Sequence, residues 1–411
     1  MQARKLPPMQ NSFRTEFGDQ KKAVRQLAPY FLVAAIVWSE CLSLGCSSNE
    51  PTKKRPTQGK QLAPVPRAIA WLMDQQQPDF LWRSEYYGNL KGGAAITALV
   101  LYALAHSDPQ AVEPHRDALQ AACDALAPEI QRCGYVSNPD GPDYPTYASA
   151  MLLVAVERLK LRLPDDVCDQ LTAYLVESQI DQAEGYSTDD PDFGGWDMLG
   201  STDGPLKTTG TNISVGATVA EALANSESPG AKTALLAYRD WLTKCQNLST
   251  DGGFYFHATR SHDGNKAGWH DESEQSARTL PRSYGTATAD GLRSLKACGV
   301  SSDDEALKKA VAWLQSHPSI DAVPGFESSS DKSWTDGLMF YYLYAFAKTF
   351  DDLPPETRTS AAAQIHDHLI RQQNSDGFWQ NPSSRMREDD PLIATCFALI
   401  ALSIADRTVS K

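Results

Sequence analysis

A helix–turn–helix unit recurs six times along this chain, and this recurrence restricts the possible fold more than any other feature. Each unit has an amphipathic helix ending in or near Gln, a turn rich in Gly, Asp and aromatic residues, and a second, more apolar helix. In the last copy, residues 361–373 have helical periodicity, 374–379 form the turn, and 393–402 form the apolar helix. Recurrence at intervals of roughly fifty to seventy residues is typical of a repeat architecture.

The other five copies keep the same order of elements. They lie at 71–101, 131–151, 179–218, 241–292 and 313–341. One helix pair cannot bury both faces of its apolar second helix, but six pairs closed into a ring can. The sequence therefore predicts an all-α fold, an (α/α)6 toroid over residues 65–405, in which the second helices form an inner barrel and the first helices an outer shell. The aromatic residue of each turn would fill the gap between neighbouring pairs.

The N-terminal region has the pattern of an export signal. Basic residues precede an apolar run from Ala28 to Trp38, which is too short to span a bilayer but is typical of a signal peptide. The segment Leu42–Cys46 resembles a bacterial lipoprotein cleavage box, so we expect Cys46 to be the lipidated first residue of the mature chain. Residues 1–46 would then be the signal, with translation starting at Met1 or Met9.

Residues 47–64 are polar, with Pro, Lys and Gln, and predict a flexible tether between this anchor and the toroid. The predicted location is the cell envelope or periplasm of a bacterium, with the lipid anchor as the membrane contact. Net charge is −13, so repulsion from phosphate backbones makes nucleic acid an unfavourable partner. Protein partners cannot be read from the sequence.

The cysteines follow no metal-binding pattern. The eight cysteines include no CxxC pair and no Cys/His ligand spacing, so we expect neither a metal site nor a cofactor. Cys123 and Cys133 are the closest pair for a disulfide in an exported protein, although small buried residues are the simpler interpretation. The acidic group at 189–197 and the His-containing loop at 257–271 are interpreted as solvated segments rather than metal sites.

The Gln-Asn-Ser-Asp-Gly-Phe-Trp run at 373–379 resembles the QW repeat of squalene cyclases and the matching repeat of protein prenyltransferase β subunits. Two further segments, 282–292 and 341–348, resemble an exported bacterial subgroup of squalene-cyclase-like proteins. The resemblance covers residues 65–405. It implies an α/α toroid with a ligand cavity along its axis and an apolar, terpenoid-type ligand.

The catalytic motifs of these families are not preserved. Squalene cyclases protonate an alkene with an Asp-rich motif, and this chain has no Asp-x-Asp-Asp-Thr-Ala sequence. Asp290, in an apolar stretch, and Asp336 are the candidate acids. Asp336 also stands where the prenyltransferases have a zinc-binding Asp, but Leu338 and Ala394 replace the Cys and His ligands. The resemblance therefore implies no bound zinc.

The predicted ligand-binding residues are mostly aromatic, because aromatic faces stabilise carbocations and pack on apolar ligands. They are Tyr284, Trp334, Tyr341, Trp379 and Asp390. For Asp389 and Asp390, capping of a helix N-terminus is the alternative interpretation.

Three functions remain open at this stage, and enzymatic activity is undecided. The first is binding or processing of an apolar terpenoid, with Asp290 or Asp336 as acid. The second is a non-catalytic binding or scaffold lipoprotein that has kept the toroid. The third is a carbohydrate lyase or hydrolase, which would use paired carboxylates in an open polar cleft. The lining of the cavity discriminates among them, since the fold alone does not define function.

Overall fold

The computed structural model describes residues 62–141, 143–200, 210–258, 265–270, 280–327, 329, 331 and 333–410. The predicted signal, Cys46 and the linker up to residue 61 lie outside the described residues. The described helices are α1 (Pro64–Asp74), α2 (Ala94–Ala105), α3 (Pro109–Val112), α4 (Arg116–Cys133), α5 (Pro145–Leu159), α6 (Asp165–Glu177), α7 (Ile213–Leu223), α8 (Pro229–Lys244), α9 (Gly285–Ala297), α10 (Glu305–Ser316), α11 (Ser333–Gly337), α12 (Met339–Ala347), α13 (Pro355–Gln372) and α14 (Pro391–Val409).

Six of these helices form a closed inner ring. In order around the axis they are α2, α5, α7, α9, α12 and α14; each contacts the next, and α14 contacts α2. Every residue of α2 is buried, as expected for a helix that is apolar on all sides. The amphipathic helices α1, α4, α6, α8, α10 and α13 form the outer shell and bury one face each. The predicted all-α (α/α)6 toroid is confirmed.

The glutamine that ends each outer helix joins that helix pair to the next. Its side-chain amide donates to a residue near the start of the following outer helix in all six turns: Gln76 to Ala118, Gln131 to Asp166, Gln179 to Ala234, Gln246 to Ala306, Gln315 to Thr357 and Gln373 to Pro64. The last of these bonds connects the final turn to α1. The same interaction that joins neighbouring pairs therefore also closes the ring.

In the first and last turns, a tryptophan fixes the inner helix to its outer partner. The indole nitrogen of Trp379 donates to the Leu369 carbonyl oxygen at 2.9 Å, and its backbone N–H donates to the Thr395 hydroxyl at 3.0 Å. Trp82 repeats both bonds, to Leu72 and Thr97. These tryptophans are buried, so their polar groups are satisfied inside the protein.

The polypeptide around the tyrosine-rich segment forms two consecutive helices. α11 ends at Gly337 and α12 begins at Met339. The buried carboxylate of Glu388 accepts hydrogen bonds from the backbone N–H groups of Phe340 and Tyr341, which lie in the first turn of α12. A cap from a distant loop thus allows an inner helix to start here.

Helix α14 is the one helix in the described part of the chain that is long and apolar enough to cross a membrane, and 72% of its apolar window is buried inside the protein as part of the inner ring. The six described cysteines are free. Cys123 and Cys133 lie on one helix, ten residues and so roughly 15 Å apart along its axis, which is too far for a disulfide.

Candidate functional site

An apolar cavity of about 320 Å³ lies between four inner helices, at the end where those helices begin. Its wall is formed by Ala95, Ile96 and Leu99 of α2, Tyr147, Ala148 and Met151 of α5, Tyr341 of α12, and Ile393 and Phe397 of α14. Tyr144, Arg385 and Arg387 lie at its rim. None of the described residues that line it is acidic. The arrangement favours an apolar ligand.

Asp290 lies behind one wall of this cavity and is fully buried. One carboxylate oxygen accepts hydrogen bonds from Ser214 at 2.9 Å and from Tyr341 at 3.0 Å, and the other accepts from Arg293 at 2.9 Å. Tyr341 therefore connects the cavity wall to a buried carboxylate. Three protein donors occupy the two oxygens of Asp290, so its charge is well satisfied.

A chain of buried and partly buried charges continues from Asp290 along the axis. Arg293 also donates to Glu221 at 3.2 Å. Glu221 in turn contacts the ammonium of Lys348 at 2.5 Å and accepts from the Tyr102 hydroxyl at 2.6 Å. These residues come from α2, α7, α9 and the end of α12, so four inner helices meet in one network. Two acids alternate with two cations, which balances the charge of this axial network.

The environment of each acid shifts its pKa differently. Burial raises the pKa of the Asp290 carboxyl above its ordinary value, against the opposing charge of Arg293 and the hydrogen bonds from Ser214 and Tyr341. Burial would also raise the pKa of Glu221, but the charges of Lys348 and Arg293 hold that pKa well below its usual range. Glu221 is therefore the firmly ionised member of the axial network.

His106 borders the network at its outer end. Its Nδ1 atom lies 2.8 Å from the Tyr102 carbonyl oxygen, which requires a proton on Nδ1. The Nε2 atom lies 3.1 Å from the Lys348 ammonium, from which it can then accept, and 3.2 Å from a Glu221 carboxylate oxygen, whose charge opposes the loss of the second proton. Burial, aided by the charge of Lys348, lowers the pKa of His106 to about 4. The imidazole is therefore neutral at neutral pH.

This neutral histidine predicts a pH effect on stability. An unfolded histidine has a pKa of about 6.5, so between about pH 6.5 and pH 4 the unfolded chain binds a proton that folded His106 does not. The contribution is present above pH 6.5 and is lost as the pH falls towards 4. We expect it to be on the order of 3 kcal/mol, and to be absent from the variant His106→Gln.

The measurement is the free energy of unfolding in urea between pH 4 and pH 7. Because buried Glu388, whose pKa burial raises to about 7, changes stability in the opposite direction, the informative quantity is the difference between wild type and variant. His270→Gln, at an exposed histidine, is the control. A constant difference between wild type and His106→Gln across this range would contradict the prediction.

A second cavity, of about 350 Å³, lies near the ends of α2 and α5 and beside α3 and α4. Its cationic side chains already serve as helix caps. Arg116 donates to the Leu159 and Lys160 carbonyl oxygens, and Arg158 donates to that of Ala105. These contacts satisfy carbonyl groups at helix C-termini, so the cationic side chains of this cavity have a structural role.

Of the predicted site residues, the structure brings Asp290 and Tyr341 into direct contact and places Trp334 near the cavity rim, where Arg385 packs on its ring. Tyr284 is buried against Phe326, with ring centroids 5.3 Å apart, and is not part of the cavity lining. Asp336 is exposed on α11, away from the axial network.

The other two predicted residues have structural contacts. Trp379 is buried in the last turn, where it holds α13 to α14. Asp390 caps α14 by accepting from the Leu392 N–H at 2.9 Å, and it also accepts from Ser84. The capping interpretation of the Asp389–Asp390 pair thus describes Asp390, while Asp389 accepts from the Tyr87 hydroxyl.

Sequence reasoning did not identify most of the axial network. Arg293 follows Asp290 by three residues, which places both on one helix face, and this spacing was an available signal. Glu221 lies within an otherwise apolar helix, and an acid in such a helix is a second signal, because it needs a partner when buried. His106 and Lys348 lie just after α2 and α12, and no local pattern connects them to Asp290.

Metal-binding geometry is not seen in the described ranges, since no group of three or more His, Cys, Asp or Glu side chains there is placed to hold an ion. In the acidic segment predicted to be solvated, Asp192 accepts hydrogen bonds from the N–H and hydroxyl of Thr211, and Asp197 accepts from two backbone N–H groups. Both contacts are internal to the turn.

No protein-family model matches this chain, and no curated protein matches it in sequence. Solved structures match its fold. A type II terpene cyclase, MstE from Scytonema, with geranylgeranyl dihydroxybenzoate bound, is 15% identical, with a TM-score of 0.54 over 84% of this chain and 96% of that one.

Two other solved structures match to a similar degree. An α-1,6-mannanase from Salegentibacter is also 15% identical, with a TM-score of 0.54 over 84% of this chain and 99% of that one. A protein from Actinoplanes is 18% identical, with a TM-score of 0.52 and coverage of 84% and 98%. These likenesses establish the α/α toroid, and they leave the reaction open, because a terpene cyclase and a mannanase share it.

Proposed function

We propose that this protein binds an apolar, terpenoid-type small molecule in the cavity between α2, α5, α12 and α14. The lining carries this proposal, because aliphatic, methionine and aromatic side chains enclose about 320 Å³. Sites of this kind gain affinity mainly from burial of apolar ligand surface. The terpenoid substrate named for the cyclase of matching fold belongs to the same chemical class.

The position of Asp290 supports binding rather than alkene protonation. An acid that protonates an alkene must be neutral and must contact the substrate. Asp290 is paired with Arg293 and lies behind Tyr341, whose hydroxyl it orients. We therefore assign Asp290 to positioning the Tyr341 hydroxyl. The exposed Asp336 has no contact that supports a catalytic role.

The carbohydrate alternative requires two carboxyl groups that face one cleft. Among the described residues, the cavity wall offers aliphatic and aromatic groups and no acid, so the terpenoid class is favoured.

We also propose that the chain is exported and anchored by lipid on Cys46, as the Leu42–Cys46 segment supports. Fractionation of bacteria that express the full chain would test that anchor.

The binding proposal is tested with the apolar fluorescent probe N-phenyl-1-naphthylamine and its displacement by farnesol. We expect the probe to bind the full chain and farnesol to displace it. Ala95→Phe and Leu99→Phe add bulk to the cavity wall and should weaken both ligands at least about tenfold. Leu236→Phe, at a residue 62% exposed on α8, is the matched control and should bind normally.

Thermal melts of the three variants separate lost binding from lost folding. If neither the probe nor farnesol binds the wild-type chain, the cavity does not serve as an apolar ligand site. If both filled-cavity variants melt like wild type and bind both ligands with unchanged affinity, the ligands occupy some other surface. Either result would refute the proposal.

A further inference from the structure

Two cations near the cavity rim, Arg387 and Lys266, keep most of their N–H donors unused among the described residues. Arg387 uses one of its five N–H donors, in a 2.9 Å hydrogen bond to the Asn89 side-chain oxygen. Its guanidinium packs over the rings of Tyr87 and Tyr144, at 4.8 and 5.2 Å from their centroids. Among the residues that the structure describes, no carboxylate forms an ion pair with Arg387.

Lys266 also has unused donors, and burial lowers the pKa of its amine to about 7, against the opposing charge of Asp290, so a bound anion would favour its protonated form. Its ammonium lies 3.0 Å from the ring centroid of Phe256 and 5.5 Å from that of Trp334. Within the described ranges it has no hydrogen-bond acceptor and no ion-pair partner. Arg385 also packs on Trp334, with its guanidinium 5.1 Å from the ring centroid, and it forms an ion pair with Asp331 at 3.1 Å. That pair is about half exposed and therefore weak.

The three acids just before α14 all receive protein donors. Asp389 accepts from Tyr87, and Asp390 accepts from Ser84 and from the N-terminus of α14. Glu388 accepts from Asn381 and from two backbone N–H groups of α12. The unused hydrogen-bonding capacity at the rim consists of cationic donors and of one oxygen of buried Asp143, next to Tyr144, which has no hydrogen-bond partner among the described residues. For the cationic donors, the best partner is an anionic oxygen group.

The backbone at the rim is also strained. Arg387 has a φ of +62° and Tyr144 a φ of +52°, in the left-handed region that non-glycine residues rarely adopt. Both residues line the cavity, and the guanidinium of one packs on the ring of the other. Residues held in such conformations cluster at ligand-binding sites, and here both lie at the cavity mouth.

We propose that the ligand is amphipathic, with its apolar chain in the cavity and an anionic head group, a carboxylate or a phosphate, bound at the rim by Arg387 with Lys266 and Arg385. This inference rests on the proposed function and defines its ligand further. A planar guanidinium on two aromatic rings suits bidentate binding of such a group. Arg387 and Lys266 are the residues that set the preference for an anion.

The test uses three ligands with one chain: farnesol, farnesoate and farnesyl monophosphate, each displacing N-phenyl-1-naphthylamine from the full-length protein. We expect at least one anion to bind about tenfold or more tightly than farnesol at low salt. That advantage should shrink as salt increases. The two anions separate a carboxylate site from a phosphate site.

Arg387→Gln should remove most of the preference for the anion and leave farnesol affinity unchanged. Arg387→Lys keeps the charge without the planar fork and should give an intermediate preference. Lys266→Gln should reduce the preference by a smaller factor. Lys232→Gln changes an exposed lysine on α8 and should have no effect.

Two outcomes would overturn the head-group inference, and a third would refute the proposed function. Equal affinities for farnesol and both anions would remove the head-group site while leaving the apolar cavity as proposed. Equal weakening of farnesol and anions by Arg387→Gln would make Arg387 part of the wall rather than an anion ligand. Failure of all three farnesyl compounds to displace the probe would instead refute the proposed function itself.

Discussion

Replacing Arg293 with methionine is expected to lower the free energy of unfolding by about 3–5 kcal/mol, because it leaves the buried carboxylate of Asp290 without its cation. Arg293 and Asp290 are 8% and 0% exposed, so water cannot replace the lost partner. The removal of one member of a buried ion pair costs far more than the pair contributes to stability. Chemical denaturation at pH 7 measures the loss.

A second change should restore part of this stability. In Asp290→Asn, the amide oxygen can accept from Ser214 and Tyr341, which both donate to one carboxylate oxygen in the wild type. The amide nitrogen would then face the space that Arg293 occupied. The double variant Asp290→Asn with Arg293→Met therefore removes both charges, and we expect it to be more stable than Arg293→Met alone.

The control is another arginine–acid pair at the same helical spacing. Arg132 and Glu129 are three residues apart on α4, as Asp290 and Arg293 are on α9, but the Arg132 side chain is 64% exposed. Arg132→Met should leave the free energy of unfolding unchanged within error, since exposed pairs contribute little. If Arg293→Met and Arg132→Met have equal effects, burial does not determine the role of Arg293.

The fold could be predicted from sequence because its signals are local and repeated. The segment from Gln373 to Trp379 predicts a turn, and the apolar run at 393–402 predicts a buried helix. Six copies of such a unit have few ways to bury their apolar helices, and the closed ring satisfies all of them. A boundary set by a distant residue has no local signal, as where Glu388 of a loop caps α12.

The site was less predictable because its geometry depends on contacts across the ring. Tyr341 and Asp290 are 51 residues apart, and Glu221 is 127 residues from Lys348. Periodicity identifies which helix face is buried, but it does not identify which buried polar groups meet. Asp290 was selected because an acid in an apolar stretch needs a partner. That partner, Arg293, lay one helical turn away.

The second large effect on the free energy of unfolding is expected at Gly377, where the last turn meets α1 and the ring closes. Gly377 in the last turn has a φ of +111°, and a Cβ atom added there would lie 2.5 Å from the Arg67 carbonyl oxygen in α1. Gly377→Ala therefore combines backbone strain with a clash against main chain that cannot move freely. We expect a loss of about 2–5 kcal/mol, as the sum of a left-handed alanine at about 1–2 kcal/mol and overpacking at about 1–3 kcal/mol.

Gly134 is the matched control, because it separates these two causes. It has a φ of +87° at the end of α4, and an added Cβ would meet nothing within 4 Å. Gly134→Ala should therefore cost only the backbone term of about 1–2 kcal/mol. Denaturation of the two variants in parallel gives the packing cost of the closure contact as their difference.

Hydrogen exchange would locate the region of the protein that Gly377→Ala destabilises. The last turn contacts α1 directly: Gln373 donates to the Pro64 carbonyl oxygen at 2.9 Å, and the rings of Trp71 and Phe378 lie 5.1 Å apart. In Gly377→Ala we expect faster amide exchange throughout α1, with the inner helix α5 still protected. Uniformly faster exchange across all helices would mean that α1 and the ring unfold as one unit, and that closure is not a separable step.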